Sequence, residues 1–342
     1  DNQLLYKKEG FSGYLAKPVS GTLLEAAVLS ILPKELVHLN EEASQSDIEK
    51  DILIFEQVKR RSILVTTDSV CDLPSALRKK FDVSVCPYYV CTDEGRFLDD
   101  QELKADELLM HLAEGRTGYS QAPEVEDYER FFAEKLTEAQ NVIHITMAKH
   151  VSKGYQNACE AAKSFENVTV LDSGHLSSSM GLIVLCAAYM AEHHATKEEI
   201  VESAKRMKRF ISSDFIINDT HMLCQAGRIS KQIQVLCDSL LLHPVLVLKK
   251  SKMVVAGMKM GSFTRVAKSY VRQLLLESRN IDRRILFITY SGMDEKKLQY
   301  IQNLVQQYGP FERVYLQKAS SAIASNCGPG SFGLLFMKRD DA

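Results

Sequence analysis

Residues 141–181 read NVIHITMAKHVSKGYQNACEAAKSFENVTVLDSGHLSSSMG, and the rest of the chain is best understood outward from here. Val142 to Met147 is an apolar run of strand character, with isoleucine and threonine prominent. Small and polar residues follow. A helical pattern then starts near Gly154, with Tyr155, Ala158, Ala161 and Phe165 on one face. A second strand, Val168 to Leu171, ends in Asp172-Ser173-Gly174. This is a βαβ unit, whose strands are expected to lie parallel with a right-handed crossover. Ligands of such sheets sit beyond the carboxyl ends of the strands, where Ser152 and Ser173 fall close to helix starts. The unpaired N–H groups of a helix start suit a carboxylate or a phosphate.

The surrounding composition is that of an ordinary soluble protein: 45% hydrophobic, 25% charged, formal net charge −2 over 342 residues. No basic stripe for nucleic acid and no polybasic membrane patch stands out. The eight cysteines are scattered without a CxxC pair, a usage that fits reduced thiols in a cytoplasm and offers no zinc-ligand spacing. No signal-peptide pattern opens the sequence. The longest apolar run, Met180 to Ala191, is too short for a bilayer crossing and reads as a helix buried on most sides, so no membrane insertion is expected.

Upstream of the central unit, Ser62 opens a main body with a strand at 63–66 leading to Thr67-Asp68-Ser69 and a helix near Pro74. A strand around 83–90, a helix over 106–113, a loop through Tyr119 and Ser120, and a helix with Val125, Tyr128, Phe132 and Leu136 on its apolar face follow. Downstream of His193-His194 the alternation of strand and helix stops. Helix 197–210, strand 215–218, a hairpin over 242–258, helix 263–278, strand 285–290, helix 294–308 and strand 313–318 predict an α+β half with a mixed or antiparallel sheet. The expected organisation is therefore a helical linker at 40–61, an α/β domain at 62–195 and an α+β domain at 196–342.

The first 39 residues resemble the closing strand, Lys-Pro loop and final helix of a response-regulator receiver domain, with Lys17-Pro18 in the loop and Leu24, Ala27, Val28 and Ile31 on one helix face. A plain N-terminal strand and helix is the other reading.

Five stretches, in order, resemble one family. They are TTDSVCDLP from Thr66, YSQAPEVEDYERFF from Tyr119, SKGYQNA from Ser152 with VTVLDSGHLSSSMGLIVLCAA from Val168, AGRIS from Ala226, and ASNCGPGSFGLLF from Ala324. The resemblance is to the DegV proteins, fatty-acid-binding proteins of bacterial cytoplasm, and covers roughly residues 62–338. It implies two domains with a ligand tunnel at their junction. A long-chain fatty acid is the bound ligand, no cofactor is needed, and the carboxylate is presented to a separate fatty acid kinase while the protein itself does no chemistry. The family's TSQPS loop corresponds to Tyr119-Ser120-Gln121-Ala122-Pro123, its SGTYQ to Ser152-Lys153-Gly154-Tyr155-Gln156, its GGRIS to Ala226-Gly227-Arg228-Ile229-Ser230, and its HTGPG to Asn326-Cys327-Gly328-Pro329-Gly330. By that correspondence Tyr119, Ser120, Ser152, Gly154, Arg228 and Asn326 are ligand-binding candidates, with Ser69 and Ser173 at the two strand ends beside them.

Each candidate has a plainer role. Ser152 also suits the cap of the helix after Gly154, a role compatible with facing a ligand. Asp68-Ser69 and Asp172-Ser173 suit turns fixed by hydrogen bonds to nearby N–H groups, the first reading for both pairs. Arg228 suits either a helix end or a head group. Gly328 to Gly333 spells GxGxxG but lacks the following βαβ context, so it reads as a tight turn that lets backbone approach a ligand. His150 and His175 near strand ends have no partner arrangement for acid–base work. Helix 180–191 and strand 242–248 are candidate tunnel walls. Two further functions stay open: an enzyme acting on a small anionic metabolite with Ser152 and Arg228 as anion clamps, and a lipid-sensing module of a signalling protein.

Overall fold

A computed structural model describes residues 60–225 and 229–339. The receiver-like stretch 1–39, nearly all of the expected linker, and Arg228 lie outside the described residues.

The first half runs β1 (Arg61–Asp68), a 3-10 turn (Ser69–Cys71), α1 (Ser75–Lys80), β2 (Ser84–Cys86), β3 (Tyr89–Thr92), β4 (Gly95–Leu98), α2 (Ala105–Ala113), β5 (Gly118–Gln121), α3 (Val125–Glu138), β6 (Ala139–Thr146), α4 (Gly154–Ala162), β7 (Val168–Asp172) and α5 (Ser177–Glu192). Strands β2, β1, β6 and β7 form, in that order, an all-parallel sheet. Such a sheet must be covered on both faces, and the alternation along β6 shows how. Val142 joins Tyr128, Phe132 and Ala158 from α3 and α4, whereas Ile143 and Ile145 join the cluster that includes Met180 and Ile183 of α5.

The single strand expected around 83–90 is two strands in two sheets. Pro87 stands between them; lacking an N–H, it cannot continue the ladder. The chain leaves the parallel sheet after Cys86 and re-enters as β3, the centre of a small antiparallel sheet ordered β4-β3-β5. Strand β5 replaces the expected loop through Tyr119 and Ser120.

The second half contains α6 (Lys197–Met207), β8 (Ile211–Ile216), α7 (His221–Gln225), α8 (Lys231–Ser239), β9 (Leu242–Lys249), β10 (Lys252–Met260), α9 (Phe263–Glu277), β11 (Ile281–Tyr290), α10 (Glu295–Tyr308), β12 (Arg313–Lys318), α11 (Ser321–Cys327) and β13 (Phe332–Lys338). Its six-stranded sheet, ordered β10-β9-β8-β13-β11-β12, is antiparallel except for β11 with β12, so the expected mixed α+β half is present. The β9–β10 hairpin turns through Lys250 and Ser251, both at positive φ, the backbone that suits a two-residue hairpin. Strand β13, from the very end of the sequence, lies centrally between β8 and β11.

Helix α5 ties the halves together. It is buried from Ser177 to Val184 and packs on β1 and β6 of one sheet and on β11 and β13 of the other. Small residues make this close approach possible. A methyl on Gly181 would fall 2.7 Å from Leu73 and 2.9 Å from the Cys71 carbonyl, and the Ser178 hydroxyl reaches both Thr289 Oγ1 and the Asp72 carbonyl, each at 2.7 Å. Among the described residues no helix is long and apolar enough to cross a membrane.

Candidate functional site

A cleft with about 920 Å³ of non-atom space, part of it open to solvent, lies where β5, the loop after β6, α11 and strands β8 and β9 of the second sheet converge. Its walls are mostly apolar, with Val70, Leu176, Phe215, Leu223, Leu246 and Phe332 among them. Its polar lining is mostly hydroxyl and amide, with Tyr88, Ser120, Ser152, Thr289, Ser291 and Asn326 among it. No lysine, arginine, histidine, aspartate or glutamate is among the described residues that line it. Of the two expected walls, β9 supplies Leu246. Of helix residues 180–191 none lines the cavity; Met180 to Val184, Ala187 and Ala188 are buried in the core instead, and Tyr189 is exposed.

Ser152 lines this cavity just before α4. The N-cap position of that helix is Lys153 rather than Ser152; the Ser152 Oγ instead accepts the Gly154 N–H at 3.1 Å in a turn just before the helix, and it lies 2.8 Å from the Tyr88 hydroxyl. Gly154 serves by being small. A methyl there would stand 2.4 Å from Tyr88 Oη and 3.1 Å from Tyr128 Oη. Tyr88 was not among the candidates from sequence. It follows the sheet-switching Pro87, and nothing in its own neighbourhood reveals a partner 64 residues away.

Beneath it, Asp68 at the end of β1 is completely buried. The Tyr128 hydroxyl donates to Asp68 Oδ1 at 2.8 Å, His144 Nε2 lies 3.2 Å from the same oxygen, and the Met147 N–H donates to Oδ2 at 3.2 Å. Thr66 Oγ1 holds the other His144 nitrogen at 2.9 Å. This network anchors the start of the 147–153 loop from below, and its members do not line the cavity apart from Met147.

Asn326, on α11, reaches across to β5. Its Nδ2 donates to Ser120 Oγ at 3.0 Å, to the Ala322 carbonyl at 3.0 Å and to Ser325 Oγ at 3.1 Å. The two amide hydrogens are thus shared among three protein acceptors, and of this pair it is the Ser120 hydroxyl that keeps a proton for the cavity, as does the unpartnered Ser291 hydroxyl elsewhere in the lining. Tyr119 points the other way. Successive strand residues alternate faces, so beside an inward Ser120 the tyrosine is 62% exposed and is not part of the lining.

The remaining candidates hold turns. Ser69 Oγ accepts the Tyr88 N–H at 3.0 Å and donates to Asp99 Oδ2 at 2.5 Å. Ser173 Oγ accepts the His175 N–H at 3.1 Å and donates to the His175 carbonyl at 3.0 Å, while Asp172 Oδ1 takes the N–H groups of Gly174 and Lys149. Neither serine lines the cavity. His175 is buried between Ser213 Oγ and the Lys208 carbonyl, and burial lowers its pKa. In the GxGxxG turn, Gly328 and Gly330 are at positive φ, and a methyl on Gly330 would meet Asn218 at 2.7 Å.

Two buried carboxylates from the first half hold the start of α11. Asp72 Oδ1 accepts the Ser320 N–H at 2.8 Å and its Oδ2 takes the Ser177 hydroxyl at 2.5 Å; Asp99 Oδ1 accepts the Ala322 N–H at 2.8 Å. Burial pushes Asp72 up to about 8 and Asp99 up to about 6, against the pull of these hydrogen bonds. The sequence reading missed both residues, because each lies far in sequence from the helix it caps.

A family model described as "Uncharacterised protein, DegV family" matches residues 62–339. A DegV domain-containing protein of Clostridium perfringens is 28% identical over 218 residues, spanning 62% of this chain and 76% of that protein. A solved DegV family protein from Thermus thermophilus, described for its fatty acid binding, is 29% identical with a TM-score of 0.74, over 81% of this chain and 100% of that one. The Streptococcus pneumoniae Fatty Acid Kinase B3 protein, solved with linoleic acid, superimposes with a TM-score of 0.69 at 16% identity over 81% of this chain and 100% of that one. With the family match running from β1 through the last strand, the chain belongs to the DegV family.

Proposed function

We propose that this chain carries a long-chain fatty acid in the cavity between its two halves and presents the carboxylate to a separate fatty acid kinase in a bacterial cytoplasm. One observation carries the reading: a largely apolar cavity whose described lining holds no charged side chain but offers the hydroxyls of Ser120 and Ser152 as donors. An alkyl chain gains about 0.8 kcal/mol for each methylene it buries, so a long acid supplies its own driving force in such a slot. A small, highly charged metabolite would gain little from these walls and would lose its hydration, which argues against the alternative of an enzyme acting on one. The fatty acid binding of the Thermus thermophilus relative and the name of the Streptococcus pneumoniae protein agree with this reading.

In this scheme the ligand-holding domains span 62–195 and 196–342. Ser120 and Ser152 are the head-group contacts, Gly154 keeps space for Tyr88, and Asn326 orients Ser120; Arg228 stays a candidate from sequence for the head group or the kinase. Native mass spectrometry of the purified protein is the direct test. A co-purified mass equal to a C14–C18 acid is the expected result, and protein that stays empty after incubation with such acids would sink the reading.

A further inference from the structure

Tyr88 is absent from every motif that marked the site, yet it is the cavity-lining side chain most tightly tied to Ser152. Its hydroxyl lies 2.8 Å from Ser152 Oγ, and the ring is only 2% exposed. Among the described residues neither oxygen has another side-chain partner, and Ser152 Oγ has one backbone donor, the Gly154 N–H at 3.1 Å. The protons can be counted. Two hydroxyls bring two protons, and the bond between them uses one. The other must go to something in the cavity.

Which oxygen keeps it follows from three observations. Ser152 already accepts from Gly154, so a second donation from Tyr88 fills both of its lone pairs and leaves its hydrogen as the one valence still open. The phenol is the stronger donor of the two, and Tyr88 is the more deeply buried, with Ser152 left half-buried at the cavity wall. Burial also holds the Tyr88 phenol well above its ordinary pKa, so its proton is present throughout the neutral range. The glycine at 154 fits the same arrangement, because any side chain there would collide with Tyr88 Oη.

We propose that Tyr88 is a positioning residue for the head group: it donates to Ser152 and thereby turns the Ser152 proton toward the ligand's carboxylate. The inference rests on the fatty-acid reading above. Donation into Ser152 also polarises its O–H, strengthening the bond that it makes in turn. The benefit is specific to a carboxylate, which accepts strongly. The hydroxyl of a fatty alcohol of the same length accepts more weakly and brings a proton of its own.

The test measures affinity for a C16 acid and the matched C16 alcohol in four proteins: wild type, Tyr88→Phe, Ser152→Ala and the double variant. Tyr88→Phe removes one oxygen atom, and its thermal midpoint reports whether the fold is kept. The expected results are an acid affinity about five- to tenfold weaker in Tyr88→Phe, little change for the alcohol, and no further loss when Tyr88→Phe is added to Ser152→Ala. Unchanged acid affinity in Tyr88→Phe overturns the proposal. So does an equal loss for acid and alcohol, which marks a packing role. An equal loss in the Ser152→Ala background overturns it too, because the phenol would then contact the ligand itself. Wild-type protein that takes up neither ligand overturns the fatty-acid reading and this proposal together, whereas wild-type binding with an indifferent Tyr88→Phe overturns the proposal alone.

Discussion

Asp72 Oδ1 accepts the backbone N–H of Ser320 at 2.8 Å, so a carboxyl group from the loop after β1 caps the helix that carries Asn326. Asp99 does the same for Ala322 two residues on. The position of Asn326 in the cavity is thus set by groups from the other half of the molecule, and these groups titrate.

The first prediction is a stability that falls as the pH rises. Burial raises the folded-state pKa of Asp72 to about 8 and of Asp99 to about 6, both from 3.8. A carboxyl group with a raised folded pKa holds its proton more tightly folded than unfolded. Its contribution is therefore full below the unfolded value and is lost as the pH climbs through the folded one. The thermal midpoint should decline steeply up to about pH 6, where both groups contribute, and more gently from there to about pH 8, where only Asp72 does. Asp72→Asn keeps a carbonyl for Ser320 and offers an N–H to Ser177, mimicking the protonated acid, so it should flatten the second decline. Thermal melts from pH 5 to 9 on both proteins decide it. A wild-type midpoint that rises across this range would contradict the assignment.

Gly154→Ala is predicted to damage both stability and binding. The new methyl would sit 2.4 Å from Tyr88 Oη and 3.1 Å from Tyr128 Oη, inside contact distance of two buried phenols. Overpacking of this kind costs about 1–3 kcal/mol. The relief available is rotation of Tyr88 away from Ser152, which breaks the contact at 2.8 Å. Calorimetry and acid titration should move together; a variant as stable as wild type and equally tight would show that the phenols yield freely.

Chain length should respond to Leu246→Trp. Leu246 lines the cavity from β9 and pairs with Phe215, itself a wall residue. Extra bulk there displaces methylenes, each worth about 0.8 kcal/mol, so the longest acids should suffer most. Native mass spectra of the variant should show shorter co-purified acids than those of wild type. An unchanged chain-length distribution would place Leu246 away from the alkyl path.

The fold was legible wherever local pattern and global pairing agreed. The βαβ unit at 139–172, the hairpin at 242–260 and the apolar face of α3 follow from periodicity that needs no distant partner. The small sheet β4-β3-β5 was not legible, because in GYSQ one tyrosine among glycine, serine and glutamine gives little strand signal and the segment is held as a strand by pairing with β3. The site divides in the same way. Ser120, Ser152 and Asn326 were found through short motifs, and all three line the cavity. Tyr119 shares a motif with Ser120 but faces solvent, since a motif does not specify which face of a strand is buried. Tyr88, Asp72 and Asp99 matter through contacts 64, 248 and 223 residues away, a relation no local window contains.

The last prediction turns on the direction of one hydrogen bond. Asn326 Nδ2 donates to Ser120 Oγ at 3.0 Å, which leaves the Ser120 proton for the cavity. Asn326→Asp reverses that bond. An ionised carboxylate has no proton to give, so Ser120 must donate to it, and the proton is withdrawn from the ligand. The same carboxylate then faces the Ala322 carbonyl and Ser325 Oγ, and it places a negative charge near a second one on the fatty acid. It also sits in the last turn of α11, where a negative charge opposes the helix dipole. Acid affinity should fall by about a hundredfold or more, the scale of a lost charge-assisted bond with repulsion added, and alcohol affinity by much less. Lowering the pH toward the carboxyl pKa should restore part of the acid binding. Asn326→His makes the opposite case. An imidazole N–H can still donate to Ser120, and the imidazolium adds attraction for the carboxylate, so acid binding should be retained and should tighten as the pH falls through the histidine range. Wild type has no titrating group at position 326 and should lack the tightening that the imidazolium adds. Titrations of acid and alcohol between about pH 5.5 and 8.5, on all three proteins, separate these outcomes. Equal acid affinity in wild type and Asn326→Asp would mean that the Ser120 proton never reaches the ligand.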